Sequence, residues 1–279
     1  MNAAGFACPL CGGPLLAIGS ALRCPAGHSF DLAKEGYAHL LPVQKKRTKD
    51  PGDSREMVAA RARFLQAGHY ELFGRQLAQL CLEAARGQSG PLHIVDMGCG
   101  EGYYSREAAA LLEQEGVPFE LIGLDISKAA VRRAAKLAPA GCSYAVASSF
   151  SSPVQTGWAD VVLNVFAPFA REEFLRVLRP GGQLFYAVPG PRHLFGLKAV
   201  LYEHPYENPV QEVDYPGFTA LGQVECEGSI RVEGEAVQDL FAMTPYFWKT
   251  PREGAERLAA CPAVETPIQF RFLKFAKEA

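Results

Sequence analysis

The chain has 279 residues, 48% of them hydrophobic and 21% charged, with a formal net charge of −2. That length supports a full core and more than one domain, and the balance of charge excludes a uniformly basic nucleic-acid binder. No apolar run reaches the roughly 18 residues that span a bilayer, no basic and apolar leader opens the chain, and the eight cysteines read as thiols or metal ligands, so a cytoplasmic protein is expected.

The charge is unevenly spread. Residues 1–75 hold ten Lys and Arg against six Asp and Glu, whereas the remainder is acidic. The basic excess is densest at Lys45-Lys46-Arg47-Thr48-Lys49. Such a run reads equally as a solvated linker or as a phosphate contact.

At the N-terminus, Cys8-Pro9-Leu10-Cys11 is followed after twelve residues by Cys24-Pro25-Ala26-Gly27-His28. Two such pairs supply the four ligands of a closed tetrahedral zinc site, so Cys8, Cys11, Cys24 and His28 are the predicted metal ligands and the role is structural. A module of this size cannot fold on burial alone, and the metal would supply the missing free energy. Cys81, Cys99, Cys142, Cys226 and Cys261 lack ligand spacing and read as small core residues. Asp53 or Ser54 then caps a helix reaching about Gln66, and a second helix runs to about Arg86 after Gly68-His69-Tyr70.

From residue 91 strands and helices alternate, which predicts a mostly parallel, doubly wound α/β sheet. Strands are expected at 92–97, 119–125, 143–147, 159–166 and 182–188, with two more near 223–232 and 268–275. Helices are expected near 102–114, 127–137, 171–178, 193–203, 234–243 and 251–260. Arg179-Pro180-Gly181-Gly182 reads as a helix-to-strand turn.

Between the first strand and its helix stands Asp96-Met97-Gly98-Cys99-Gly100-Glu101-Gly102-Tyr103. A dinucleotide fingerprint would need glycine at 103, which is Tyr. The D-x-G-x-G-x-G pattern resembles instead the cofactor loop of class I, Rossmann-like S-adenosylmethionine-dependent methyltransferases. That resemblance implies that Asp96 faces the methionine amino group and that Gly98, Gly100 and Gly102 make room for the cofactor. Asp125, 23 residues after Gly102 at the end of the second strand, suits the ribose hydroxyls, or alternatively the N-terminus of the next helix. Ser148 stands where this class often has an acid on the adenine amino group.

The fourth strand runs into Asn164-Val165-Phe166-Ala167-Pro168-Phe169, beside the expected ligand crevice. Asn164 could bond a base edge and Phe166 stack on a ring, as in enzymes that methylate nucleobase nitrogen; a turn with a core aromatic is the plainer reading. These two residues, and less directly Glu172, are the candidates for catalytic roles.

Taken together, the zinc pattern, Phe30 to Pro42, Asp50-Pro51-Gly52-Asp53-Ser54, Ala67-Gly68-His69-Tyr70, the glycine loop and Pro189-Gly190-Pro191-Arg192-His193-Leu194 resemble the bacterial 23S ribosomal RNA guanine-N1 methyltransferases over nearly the full length. The resemblance implies a zinc-binding RNA-recognition module (1–42), a linker with connecting helices (43–88) and a class I methyltransferase domain (89–279). It implies methylation of a guanine in a hairpin of domain II of 23S RNA, and a homodimer. It also implies cofactor contacts from Tyr70, Gly100, Glu101 and His193. Pro51 to Ser54 and Pro191 to His193 resemble the Gram-negative housekeeping branch, and Asn164 to Pro168 the macrolide-resistance branch, with the balance toward the former. A small-molecule methyltransferase, or a non-catalytic RNA-binding protein that keeps the fold, are the alternatives.

Overall fold

The computed structural model describes residues 1–42, 51–210 and 215–278; the Lys45 to Lys49 run lies outside them. Three short strands, β1 (Leu16–Ile18), β2 (Ala21–Arg23) and β3 (Ser29–Asp31), form a small antiparallel sheet. The next strand, β4 (Ala38–His39), leaves that sheet and pairs in parallel with β7 (Cys142–Val146) of the main sheet. The N-terminal region is thus joined to the body by backbone hydrogen bonds. Ala7 N–H reaches Pro153 O at 2.9 Å, and Leu40 N–H reaches Val146 O at 2.9 Å.

Two helices follow, α1 (Arg55–Gln66) and α2 (Glu71–Ala84). The Ser54 hydroxyl caps α1 by accepting from Met57 N–H at 3.2 Å. The α/β core then alternates β5 (Leu92–Met97), α3 (Tyr103–Gln114), β6 (Phe119–Asp125), α4 (Lys128–Lys136), β7, β8 (Ala159–Val165), α5 (Arg171–Val177), β9 (Leu178–Pro189) and α6 (Phe195–Leu201). It closes with β10 (Phe218–Glu233), α7 (Glu235–Ala242), α8 (Arg252–Ala259) and β11 (Ala263–Lys277). The sheet order is β10-β11-β9-β8-β5-β6-β7-β4, with only β10 and β11 antiparallel to their neighbours. Arg179 to Gly182, expected as a turn, begins β9.

Both faces of the central parallel strands β5 to β8 are buried, so these strands are apolar on both sides, whereas β10 is exposed along most of its length. Ile94, Leu121, Val161 and Leu163 face α2 and α3 with Phe73 and Leu77. Val95, Met97, Leu124 and Val162 face Phe174 of α5 together with Phe6, Leu22 and Leu40 of the N-terminal region. The metal-pattern module therefore shares a core with the sheet.

The last two strands are longer than their sequence suggests. Residues 263–269 of β11 continue beyond the last β9 pair, Phe270 with Pro189, and remain paired with 227–233 of β10. Seven residues carry the hairpin about 24 Å past the carboxyl ends of the parallel strands. Pro267 and the polar residues Glu265 and Thr266 hide this stretch from a pattern search. The extension holds because residues 190–196 cover its open edge: Leu194 N–H reaches Pro267 O at 2.9 Å, and Gly196 N–H reaches Thr266 Oγ1 at 3.1 Å. A Cβ on Gly196 would lie 2.1 Å from Glu265 O, so only glycine permits this approach. Helices α7 and α8, carried on this hairpin, overhang the edge where a doubly wound sheet binds its ligands.

Candidate active site

The loop after β5 turns on glycines with positive φ: 88° at Gly98, 55° at Gly100 and 77° at Gly102. A side chain at Gly98 would collide with Ala167 Cβ at 2.6 Å, so this loop packs directly on the loop after β8. Gly100 faces open space, which leaves its backbone approachable by a ligand.

Two carboxylates stand at the strand ends. The first, Asp96, is buried; the Ser105 hydroxyl donates to its Oδ2 at 2.5 Å, while Oδ1 has no partner among the described residues. An orphaned buried carboxylate oxygen is costly unless a donor arrives, and a cationic amine would satisfy it. Asp125 accepts Gly100 N–H at 2.9 Å through Oδ2 and Ser127 N–H at 2.7 Å through Oδ1. The cap of α4 is Ser127 itself. Asp125 thus holds the glycine loop to the next turn and keeps its remaining lone pairs for hydroxyl donors.

Burial pushes the Asp96 carboxyl up to about 7; the Ser105 hydroxyl opposes this and the Asp125 charge adds to it. A folded-state value above the unfolded one means that the native state keeps its proton longer. Stability from this group is therefore present below about pH 4 and lost as pH rises toward neutrality. Thermal unfolding from about pH 4 to 7 should show that loss in the wild-type protein, and Asp96→Asn should flatten that part of the profile. An identical slope in the variant would mean that the carboxyl is ionised throughout.

Glu101 is buried, but its carboxylate is held by Arg106 at 3.2 Å and Arg133 at 3.4 Å. Ser148 bends back on its own loop, accepting Phe150 N–H at 3.2 Å. Glu172 points to solvent beside Arg171.

Opposite the glycine loop lies an aromatic cluster. Tyr70 and His193 are both buried, with Tyr70 Oη 3.4 Å from His193 Nε2. His193 Nδ1 accepts Gln269 N–H at 3.2 Å, so the ring proton sits on Nε2 and is directed at Tyr70. Burial, helped by the Lys198 charge, lowers His193 to about 3, so the ring is neutral at working pH and a weak base. Phe166 crowns the cluster, stacked on Phe73 at 5.7 Å and His193 at 6.0 Å, yet 45% exposed. Its φ is +52°, a conformation an aromatic residue rarely adopts and one that marks functional loops. Just below it, Asn164 is fully buried, donates to Pro168 O at 3.4 Å, and leaves Oδ1 without a partner.

The metal-pattern residues also converge. Cys8, Cys11, Cys24 and His28 place their ligand atoms within 4.8 Å of one another. Cys24 Sγ lies 3.7 Å from Cys11 Sγ and 3.3 Å from His28 Nδ1, and Cys8 Sγ lies 3.5 Å from that same nitrogen. A zinc ion with Zn–S near 2.3 Å and tetrahedral angles sets ligands about 3.8 Å apart, so the donor set fits zinc bound through Nδ1. Burial alone would raise the Cys24 thiol, but hydrogen bonds from His28, Cys11 and Ala26 bring it to about 7, toward the thiolate a metal needs.

Sequence reasoning missed Ser105, which orients Asp96, and the Asp53–Arg61 ion pair. Asp53 O accepts the Ser127 hydroxyl at 2.8 Å, so the Pro51 to Ser54 turn is clasped to the Asp125 loop. Ser105 lies nine residues from Asp96 and Arg61 eight from Asp53, spacings that no motif announces, while the Ser127–Asp53 contact joins segments 74 residues apart.

Two family models match the chain. One, described as "RlmA, N-terminal", a zinc ribbon, covers residues 6–49, and a "Methyltransferase domain" covers 94–182. Over 264 residues the chain is 39% identical to the 23S rRNA (guanine(748)-N(1))-methyltransferase of Streptomyces fradiae, covering 92% of this chain and 91% of that protein. A protein of Micromonospora griseorubida named as a 23S rRNA (guanine-N(1)-)-methyltransferase is 37% identical, with 94% and 92% covered. One of Bacillus subtilis under the same name is 28% identical, with 96% and 95% covered.

Proposed function

The chain belongs to the 23S ribosomal RNA guanine-N1 methyltransferases, and from that premise we propose that it methylates N1 of one guanine in a hairpin of domain II of 23S RNA. The observation that carries this reading is the pairing of a class I cofactor cleft with a strained, half-exposed Phe166 and an unpartnered Asn164 Oδ1 beside it. S-adenosylmethionine, when bound, supplies the activated methyl group. Asp125 accepts the ribose hydroxyls, Asp96 Oδ1 the methionine amine, and the backbone of Gly98 to Gly102 approaches without interfering side chains. Tyr70 and His193 wall the cleft opposite.

Guanine N1 lies on the pairing edge, so the base must be unpaired or flipped to react. Phe166 offers its exposed ring as a stacking surface, and Asn164 Oδ1 accepts a hydrogen bond from the N1 or 2-amino edge. Much of the catalysis is then positioning of N1 in line with the methyl group, and the proton that neutral guanine carries on N1 must leave as the methyl arrives; the Asn164 amide orients that N–H but takes no proton, which passes to water. The zinc module (1–42) and the basic run in 43–88 hold the RNA through phosphates and shape, and 89–279 carries the chemistry. The protein works as a homodimer in the cytoplasm, where ribosomal RNA is modified; sedimentation showing a monomer would remove the dimer from this reading. Among the described residues, no helix is long and apolar enough to cross a membrane.

The test is methyl transfer from labelled S-adenosylmethionine to unmodified 23S RNA, mapped by reverse-transcription stops. One stop at a domain II hairpin guanine is expected, and its position separates the two neighbouring guanines of the family's branches. Label without a stop would move the methyl off the pairing edge and overturn the N1 assignment. Phe166→Ala should lower kcat/KM for RNA by roughly 5- to 150-fold, the worth of one stacked base, with cofactor affinity unchanged. Equal loss of cofactor binding would place Phe166 in the wall of the cofactor cleft instead.

A further inference from the structure

Two adjacent exposed aromatic rings lie in the 3-10 turn Pro245–Trp248, between α7 and α8 on the overhanging hairpin. Trp248 is 71% exposed and Phe247 43% exposed. Their rings meet edge to face at 5.1 Å and 89°, and Phe247 is anchored on Phe241 at 5.4 Å. The indole is thereby fixed from behind with its outer surface open to solvent. Exposed Lys249 follows directly.

The turn spans the rim of the cleft. On the Asp125 side, Met243 O accepts from Arg61 at 3.3 Å, and Arg61 pairs with Asp53 of the turn clasped to Ser127. On the His193 side, the Tyr246 hydroxyl lies 3.5 Å from Asn208 Oδ1, while Asn208 Nδ2 donates to His193 O at 3.1 Å and Gly190 O at 2.9 Å. Lys198 braces this junction, donating to Asn208 Oδ1 at 2.7 Å under the Tyr206 ring at 4.3 Å. The rings are therefore held rigidly beside the pocket and outside it.

Resting on the RNA substrate argued above, we propose that Trp248, backed by Phe247 and flanked by Lys249, is a stacking platform for an unpaired base of that RNA, adjacent to the target guanine. Opening a hairpin to expose N1 leaves neighbouring bases without stacking partners, and a rigid indole with an adjacent cation replaces that stacking without demanding a particular base. Lys249, Thr250, Arg252 and Glu253 follow the rings in the chain and are polar, so the exposed apolar area is small: two rings and the flanking Pro245 and Pro251. That suits one nucleobase and falls well short of the roughly 800 Å² per partner of a stable protein interface.

The test titrates the full-length protein with a domain II hairpin oligonucleotide. Wild-type indole fluorescence should quench on binding, and Trp248→Ala should lose that quench, leaving only the signal of Trp158 at the opposite end of the sheet. The variant should bind the hairpin roughly tenfold more weakly and raise KM for RNA by a similar factor, with cofactor affinity and Tm unchanged. Trp248→Phe should recover much of the affinity. Unchanged RNA affinity and KM in Trp248→Ala, in a protein whose wild type methylates RNA, would overturn the platform alone. Loss of dimer with RNA affinity intact would also overturn it and assign the rings to a protein contact. Failure of the wild type to bind or methylate RNA would instead overturn the substrate reading on which it rests.

Discussion

Asp125→Ala is expected to weaken S-adenosylmethionine binding by roughly two to four orders of magnitude. The carboxylate makes two backbone hydrogen bonds, to Gly100 N–H and Ser127 N–H, and its remaining lone pairs are those the proposed ribose contact would use. Hydrogen bonds to a charged group contribute about 1.5–3 kcal/mol each, and losing two of them accounts for the range. The effect is compounded because the Gly100 amide loses the acceptor that fixes the loop, so the remaining contacts are also less well placed. Burial raises the Asp125 carboxyl, while the two N–H groups work against that shift. Isothermal titration calorimetry reads the result directly. Asp125→Asn, which keeps one acceptor oxygen, should fall between. Near-wild-type affinity in the alanine variant would restrict Asp125 to the structural turn at Ser127 and leave the ribose to another group.

Removal of the metal should have the largest effect on stability. One zinc per chain is expected by atomic absorption, and Cys24→Ser should abolish it. Structural zinc sites of this type contribute on the order of 10 kcal/mol in isolated modules. Here the consequence extends beyond the module, because Phe6, Leu15 and Leu22 share a core with Met97, Leu124 and Phe174. Strand β4, which follows the ligands, also covers the edge of β7. Cys24→Ser, or a strong chelator, should therefore lower the Tm of the whole chain by several degrees and remove RNA methylation. The ligand-binding ends of β5 and β6 lie in the interior of the sheet, so cofactor binding should persist at low temperature. Unchanged Tm after verified metal loss would show that the module holds itself by burial, contrary to its size.

Much of the cleft is local in the chain, which is why it was legible. The glycine loop, Asp96 at one strand end and Asp125 at the next follow from strand–turn–helix spacing, and the structure brings them to the same edge of the sheet. The four metal ligands were legible for the same reason: two short knuckles carry their own turn residues, Gly12 and Gly27, with φ of 75° and 87°. The parallel core strands were visible because they are buried on both faces and so read as apolar runs. The covalent order of the chain is enough for all of these, since each depends on neighbours within a few residues.

Other features depend on contacts between elements, and no local pattern announces them. Asp96 Oδ2 is taken by Ser105 of α3, and the Phe166 ring, on a residue with positive φ, stacks on Phe73 of α2. Glu101 stands in the motif, and its carboxylate is paired with Arg106 and Arg133, the second of them from α4. The attachment of the N-terminal module through β4 required the edge of β7 to be open. The overhang of the last hairpin, with Trp248 at its tip, required residues 190–196 to cover a strand whose own sequence contains a proline. In each case the deciding energy is a hydrogen bond, ion pair or ring contact that no local pattern specifies. Sequence by itself therefore determined the chemistry of the cleft and the metal centre; only the tertiary structure decided how their side chains point, and what stands at the rim.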